Sequence, residues 1–176
     1  MKKSNETFTD PRDGKVYKTV EIGGVVWFAE NLNFAAEGSV CYDNDPANGE
    51  KYGRLYDWET ALKACPAGFH LPSDDEWTAL ENAVGGRSTA GTKLKSAAGW
   101  NEDGNGTNDF GWSALPGGYG YSDGGFHDAG NLGYWWSATE NGANYASYRS
   151  MYCSGGNVLW DDDYKASLFS VRCVED

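Results

Sequence analysis

Long apolar runs and basic residues are both scarce in this sequence. No stretch approaches the roughly 18 consecutive apolar residues that a membrane-spanning helix needs. Lys and Arg total 14 against 26 Asp and Glu, so the formal net charge is -12. Nucleic acids and anionic lipid surfaces are bound mainly through clustered Lys and Arg. We therefore expect no nucleic-acid partner and no membrane insertion.

Histidine and cysteine are too sparse for a typical zinc site. The chain has 2 His and 4 Cys, with no Cys-x-x-Cys pair. Zinc sites are usually assembled from closely spaced pairs of these residues. We therefore predict disulfides, rather than zinc ligation, for Cys41, Cys65, Cys153 and Cys173.

Aromatic residues and glycine are abundant instead. Aromatics make up 15% of the chain, with 8 Trp and 11 Tyr, and there are 24 Gly. So much bulky apolar surface is typical of a folded protein rather than of an acidic disordered chain. The glycine content favours strands joined by tight turns over a helical bundle. A length of 176 residues predicts a single domain over residues 1–176.

Strand signals lie at both ends of the chain. Alternating apolar residues over 16–22, then Gly23-Gly24 and an apolar run over 25–28, predict a β-hairpin with a two-residue loop. The polar, glycine-rich stretch 33–53 is predicted to be a surface loop pinned at Cys41. Further strand candidates are Tyr145–Cys153, Asn157–Asp161 and Leu168–Val174, with turns near Gly155-Gly156 and Asp161–Asp163.

The first of two predicted helices ends at Pro66 and Gly68, which cannot continue a helix easily. Its apolar positions recur at helical spacing. They are Leu55, Trp58, Leu62 and Cys65.

The second predicted helix starts at a capping box formed by Ser73 and Glu76. Its core positions are Trp77, Leu80 and Val84, and Gly85-Gly86 stops it. From Gly99 onward we expect no further helix. The order of strands and helices predicts an α+β fold.

Seven short segments stand in order over nearly the whole chain. They are Trp27–Leu32, Tyr52–Tyr56, Cys65–Ser73, Glu76–Trp77, Phe110–Gly118, Trp136–Glu140 and Ser170–Val174. Together they resemble the Fibrobacter succinogenes major paralogous domain. The resemblance implies a C-type-lectin-like fold, in which two helices flank a small antiparallel sheet with long irregular loops. It also implies a disulfide from the first helix to the last strand, which here joins Cys65 to Cys173.

Cys41 departs from the family pattern because it lacks a local partner. The family usually has a second Cys where this chain has Gly49. Cys153 is unusual for the family, so we infer a compensating Cys41–Cys153 bridge. The alternative is two free thiols, with Cys153 as a small buried hydrophobe.

The segment from Tyr134 to Val174 carries a second set of motifs. They are Trp136–Asn141, Gly156–Val158, Lys165 and Ser170–Val174. In this arrangement the segment is similar to the variable region of proteins diversified by retroelements, in which Asn codons are mutated at their adenines. Such mutation yields Tyr, Ser, Asp, Gly or Leu, among others, but never Lys or Trp. The resemblance therefore implies fixed Trp160 and Lys165. The implied ligand-binding positions are Tyr148, Ser150, Tyr152, Asp162, Asp163, Tyr164, Ser167 and Leu168.

The strand period agrees with part of this implication. Residues two apart along a strand share a face, so Tyr148, Ser150 and Tyr152 project together. Tyr and Ser supply rigid contact area and adaptable hydrogen bonds in antibody loops. The alternative is that these tyrosines cover a core. We predict a non-enzymatic ligand-binding module, for receptor binding or adhesion, whose ligand is a macromolecule such as a cell-surface protein.

Such a module acts outside the cell, so we expect an extracellular, cell-surface or virion location. The segment Met1 to Phe8 lacks the apolar part of a secretory signal. Removal of a signal from the sequence, or export on a virus particle, would each account for this.

Calcium-dependent carbohydrate binding is the second interpretation. Asp103, Asn105 and Asp109 alternate oxygen donors with glycine, as calcium loops do, so calcium is the one cofactor we consider. Asp161–Asp163 after Trp160 resembles the Trp-Asn-Asp motif of sugar-binding C-type lectins. The partner Glu-Pro-Asn motif is missing.

An enzyme similar to the formylglycine-generating enzymes, which share the implied fold, is a third and weaker interpretation. Those enzymes use nearby reactive cysteines, and no such pair is visible. His70, between Phe69 and Leu71, is predicted to be structural, and His127 to lie on an exposed loop.

Overall fold

The computed structural model describes residues 6–176. These residues form ten strands, four α-helices and a 3-10 helix at Tyr42–Asn44, which confirms the α+β class. The strands are β1 (Glu6–Thr9), β2 (Val16–Ile22), β3 (Val25–Phe28), β4 (Phe69–His70), β5 (Tyr119–Gly120), β6 (Phe126–His127), β7 (Leu132–Glu140), β8 (Tyr145–Tyr152), β9 (Leu159–Tyr164) and β10 (Val174–Glu175). The helices are α1 (Pro46–Tyr52), α2 (Trp58–Ala64), α3 (Asp74–Ala83) and α4 (Arg87–Leu94).

No helix within residues 6–176 is long and apolar enough to cross a membrane. Most of the segment Met1 to Phe8, which we interpreted as lacking an export signal, lies outside the described residues.

The two ends of the described chain meet in a five-stranded antiparallel sheet of order β1-β2-β3-β10-β4. Val174 of β10 pairs with Trp27 of β3 and with His70 of β4. The predicted hairpin is confirmed, since Gly23 and Gly24 join β2 to β3. Both glycines have positive φ, 66° and 85°, as a type I′ turn requires.

A second antiparallel sheet has the order β7-β8-β9. Strands β8 and β9 confirm two predicted strands, but the turn predicted at Asp161–Asp163 is wrong because β9 continues to Tyr164. On this edge strand the Asp161 and Asp163 carboxylates accept hydrogen bonds from the next N–H groups, at 2.9 and 2.6 Å. The strand predicted over Leu168–Val174 is reduced to isolated bridges before Val174.

Strand β7 has no counterpart in the sequence prediction. Trp135 and Trp136 are both fully buried, and they belong to two different clusters of the core. Because β7 is covered on both faces, its sequence lacks the alternation by which a half-buried strand is recognised.

Helix α3 confirms the predicted capping box. The Ser73 hydroxyl oxygen accepts from the Glu76 N–H at 3.3 Å, and the Glu76 carboxylate accepts from the Ser73 N–H at 2.8 Å. The predicted core positions Trp77, Leu80 and Val84 are all buried. Local capping and apolar spacing therefore suffice to locate this helix.

Helix α2 is shorter than predicted, and its buried face is different. Leu55 precedes the helix, and Leu62 is 38% exposed. Trp58, Ala61 and Ala64 are the buried residues instead. Small alanines let α2 approach the core closely, and no periodic run of large apolar residues marks this contact.

The prediction of two helices is wrong, because α1 and α4 are also present. Asp45 caps α1 and Pro46 occupies its first turn, so the predicted loop 33–53 ends in a helix. In α4, a Cβ on Gly91 would lie 2.5 Å from the Asn157 carbonyl oxygen. This helix is placed by close tertiary packing, which a single sequence does not display.

The centre of the core contains four tryptophans in mutual contact. The ring centroids of Trp27 and Trp77 lie 5.4 Å apart, and those of Trp77 and Trp112 lie 5.7 Å apart. Trp135 of β7 continues the series at 5.7 Å from Trp112. The series joins the five-stranded sheet and α3 to the second sheet.

A buried polar hub lies beside these tryptophans. The Asn31 side-chain oxygen accepts from the Trp135 indole N–H at 2.9 Å and from Arg172 Nε at 2.8 Å. The Arg172 guanidinium also donates to the carbonyl oxygens of Phe28 and Ser113, and it stacks 3.9 Å from the Trp112 ring centroid. Burial lowers the pKa of Arg172 to about 9, which leaves it charged at neutral pH. We call Asn31 and Arg172 the buried hub.

One of the two expected disulfides is present. Cys65 and Cys173 form a disulfide across 108 residues, as the family resemblance implies. The inferred Cys41–Cys153 bridge is wrong, because both are free thiols and only Cys41 is buried. A Cβ on Gly49 would lie 3.7 Å from the Cys41 Cβ.

Replacing Gly49 by Cys should create a disulfide with Cys41. The Cβ separation of 3.7 Å falls within the range of about 3.5–4.5 Å found in disulfides. Closing this short loop should raise the free energy of unfolding by about 2 kcal/mol. Thiol titration in denaturant, without reductant, should detect Cys153 alone in the variant.

Gly49→Ala is the matched control, because it adds the same Cβ without a bond. That Cβ would lie 2.6 Å from Cys41 Sγ, so the melting temperature should fall. Finding three free thiols in the Gly49→Cys variant would contradict the geometry described for this loop.

Candidate functional site

One face of the second sheet brings together tyrosines of β7 and β8. The antiparallel register sets Tyr148 opposite Trp136 and Ser150 opposite Tyr134. Directly opposed residues project to the same side of a sheet. Tyr134, Tyr148 and Tyr152 therefore share this side, in agreement with the strand period along β8.

Tyrosine rings form a continuous series of contacts across this side. The ring centroids of Tyr119 and Tyr134 lie 5.0 Å apart, and those of Tyr134 and Tyr148 lie 5.1 Å apart. Tyr121 extends the series at 5.3 Å from Tyr119. Tyr152 joins it through its hydroxyl, 3.5 Å from that of Tyr134. We call these five residues the tyrosine face.

The tyrosine face rests on the buried ring of Phe169. The Phe169 ring centroid lies 5.1 Å from the ring centroids of Tyr134 and Tyr148, and 4.3 Å from the ring centroid of Trp136. A close-packed layer beneath the phenols restricts their rotamers before any ligand arrives. Less conformational entropy is then lost on binding.

Partial burial raises the pKa of three phenol groups of the tyrosine face above their ordinary value of 10.0. Loss of hydration raises the pKa of Tyr119 to about 12, and the neighbouring Tyr121 hydroxyl adds to this increase. Burial also raises the pKa values of Tyr134 and Tyr148. At neutral pH the face therefore offers neutral hydroxyls that donate and accept hydrogen bonds.

Carboxylates border the tyrosine face. The register sets Asp161 opposite Tyr148 and Asp163 opposite Ala146, on the same side of the sheet. The charges of Asp128 and Asp163 contribute to the raised pKa of Tyr119, after burial and Tyr121. This border of the tyrosine face is negatively charged.

The other predicted ligand-binding residues occupy different positions. Ser150 and Ser167 are only 1% and 2% exposed, so they offer little contact area. Asp162 and Tyr164 alternate to the opposite side of β9, where the rings of Tyr164 and Tyr145 stack with centroids 4.6 Å apart. The eight predicted positions therefore do not form one continuous surface.

Tyr119 and Tyr121 belong to the face but were not predicted as site residues. They lie on the β5-β6 hairpin, which is held to Leu168 by backbone hydrogen bonds from Gly120. Each strand of this hairpin is two residues long, which is too short to show a period. The alternation of Gly and Tyr over 117–121 is the only local signal.

A cleft opens between this hairpin and the segment that follows β9. Its cavity is about 310 Å³, and its lining includes Val40, Asp57, Tyr121, Phe126 and Leu168. We call it the hairpin cleft. A second concavity of about 280 Å³ shares Tyr121 with it and includes Tyr164 and Ser167. Three of the predicted ligand-binding residues thus line these two cavities beside the tyrosine face. They are Tyr164, Ser167 and Leu168.

The predicted calcium loop uses one of its oxygen donors internally. The Asn105 side-chain oxygen accepts from the Trp100 N–H at 3.0 Å, while Asp103 and Asp109 are exposed. In the part of the chain that the structure describes, no group of three or more His, Cys, Asp or Glu is placed to hold a metal ion.

His70 lies in the other sheet, between two carboxylates. Its Nε2 is 2.7 Å from Glu76 Oε1, and its Nδ1 is 2.8 Å from Asp176 Oδ1. Burial alone would lower the pKa of His70, but these hydrogen bonds outweigh it and raise the pKa above 6.5. The imidazolium thereby links β4, the first turn of α3 and the segment after β10.

Replacing His70 by Gln should remove a pH-dependent part of the stability. Because the pKa is raised on folding, the contribution of His70 is fully present below pH 6.5 and is lost as the pH rises through the raised value. Melting temperatures of wild type and His70→Gln should be compared between about pH 5.5 and pH 9. The difference between the two proteins should be largest at the acidic end of this range. His127→Gln is the control, and an equal difference at every pH would contradict the assignment.

Comparison with known proteins gives one family. The model of the Fibrobacter succinogenes major domain matches residues 20–175. No curated protein and no solved structure matches the chain. The match includes β3 to β10, the disulfide and the tyrosine face, so the chain belongs to the Fibrobacter succinogenes major domain family.

Proposed function

We propose that this protein is a non-enzymatic ligand-binding module that presents a variable surface on a C-type-lectin-like scaffold. The observation that carries the proposal is the tyrosine face, a packed series of half-exposed phenols with an acidic border. Tyr offers a large amphipathic contact area with few rotatable bonds, which suits recognition of proteins.

Two features support the C-type-lectin-like scaffold. Strand β10 lies between β3 and β4, so the ends of the domain close on each other. The Cys65–Cys173 disulfide then ties the end of α2 to the residue before β10. The second sheet, which carries the tyrosine face, contains neither β10 nor the disulfide cysteines.

The partial exposure of three implied variable positions supports diversification by a retroelement, whereas Ser150, Ser167 and Leu168, which are also implied to vary, are buried. Tyr148, Tyr152 and Asp163 fall on implied variable positions and are partly exposed. Trp135 and Arg172, which hold the strands beneath, are fully buried and lie outside those positions. Changes at the first set alter the surface while the packing below is retained. A nearby template repeat rich in adenines, beside a reverse-transcriptase gene, is the genomic expectation.

The ligand in this proposal is a macromolecule displayed on a cell surface, and the protein acts as an extracellular, cell-surface or virion component. Hydroxyls on the tyrosine face suit an amide-rich or apolar centre in the partner. The acidic border and the net charge of -12 suit a basic rim around that centre. Affinity should concentrate in two or three aromatic anchors.

Variation confined to the tyrosine face should create new binding specificities without unfolding the domain. We would randomise Tyr121, Tyr148, Tyr152 and Asp163 and display the variants on yeast. Lysozyme, a basic protein, is the target, and serum albumin is the acidic counter-target. Most variants should be displayed at wild-type levels, and lysozyme binders should be enriched.

The matched control randomises four exposed positions on α3. They are Asp75, Thr78, Ala79 and Asn82. Selections are repeated with and without a calcium chelator. Equal enrichment from the α3 positions would contradict the proposal. Binding that is lost on chelation and maps to Asp103, Asn105 and Asp109 would favour the calcium-dependent lectin instead.

A further inference from the structure

The hairpin cleft has a composition different from that of the tyrosine face. Its walls include the apolar side chains of Val40, Phe126 and Leu168. Asp57 is the one carboxylate among the described residues that line it. At about 310 Å³ the cavity lies at the lower end of the range of roughly 300–1,000 Å³ for ligand pockets. A cavity of this size can admit a single long side chain.

Asp57 has one carboxylate oxygen available to a ligand. Its Oδ1 accepts from the Thr60 N–H at 2.8 Å, which caps α2. Its Oδ2 accepts no hydrogen bond from any residue that the structure describes. A Cβ at Gly38, which also lines the cleft, would lie 3.8 Å from this Oδ2. The bare glycine backbone thus leaves the oxygen accessible from the cleft.

A cavity whose lining combines apolar side chains with one carboxylate is complementary to lysine. Lysine combines an apolar four-carbon stem with a compact ammonium group. Arginine gains most from two parallel hydrogen bonds to a carboxylate, and here Oδ1 is already engaged. Glu37 and Glu59 line an adjoining cavity with Asp57, opposed there by Lys63 alone, so the surroundings are acidic.

We propose that the hairpin cleft receives a lysine side chain of the protein partner that covers the tyrosine face. This inference rests on the proposed function and specifies the chemistry of one anchor residue. The two surfaces are continuous, because Tyr121 lines the cleft and its ring lies 5.3 Å from that of Tyr119. A second copy of this chain is a poor occupant, since two chains of net charge -12 repel each other.

The test uses Nα-acetyl-lysine N-methylamide as the probe, titrated into the full chain and followed by NMR. Saturable shifts should appear at the backbone amides of Gly38, Val40, Phe126 and Leu168. The blocked norleucine analogue has the same stem without the charge, and it should bind at least tenfold more weakly. Blocked arginine should also bind more weakly than blocked lysine.

Asp57→Asn removes the charge but keeps the helix cap, because Asn is as good an N-cap as Asp. It should weaken lysine binding at least tenfold. Asp45→Asn is the matched control, since Asp45 caps α1 with its side chain and does not line the cleft. It should leave the affinity unchanged.

Equal binding of norleucine and lysine, no shifts at the cleft, or unchanged affinity in Asp57→Asn would each overturn the lysine proposal. The norleucine comparison uses the wild-type chain, so its result does not depend on whether the variants fold. Successful selection of binders from the tyrosine face alongside such a failure would leave the proposed function in place. Lysine binding without any selected binders would overturn the proposed function, and with it the assignment of the lysine to a partner on the tyrosine face, but not the preference of the cleft for lysine.

Discussion

The buried hub of Asn31 and Arg172 is the interaction on which the rest of the structure depends. Arg172 is fully buried. Its guanidinium forms no salt bridge with a carboxylate among the described residues. Carbonyl oxygens, the side-chain oxygen of Asn31 and the Trp112 ring surround it instead. Removing one partner of such a buried charged group is costly, because the charge is then left without hydration or hydrogen bonds. The segments that supply those groups are therefore held in one arrangement.

The hub is connected to the sheet that carries the tyrosine face through β7. Its residue Trp135 donates to Asn31, and the neighbouring Trp136 donates to the Tyr56 carbonyl oxygen at 2.8 Å. The indoles on the two sides of β7 thus anchor the strand to Asn31 of the hub and to the backbone of Tyr56. Tyr134 and Tyr148 project outward over Phe169 and make no contact with the hub. The side chains exposed on the tyrosine face and the side chains that anchor β7 are thus different residues of the same sheet.

Elements with strong local signals could be predicted from the sequence. The Gly23-Gly24 hairpin and the capping box of α3 depend on residues that are adjacent in sequence, and the family resemblance supplied the Cys65–Cys173 bridge. Strand β7 and helix α4 could not be predicted, because contacts from distant segments place them. The tyrosine face needed the register of β7 against β8 and the docking of the β5-β6 hairpin, and neither is visible along the chain.

Hydrogen exchange of an Asn31→Leu variant tests most directly whether the buried hub holds the tyrosine face in place. Leu has the same branching and the same number of side-chain heavy atoms as Asn, but it has no amide. The account predicts faster exchange at two distant places together, in β7 and in residues 168–174, while α3 stays protected. A Tyr148→Ser variant should leave exchange in both places unchanged. Faster exchange confined to the residues next to position 31 would contradict the account.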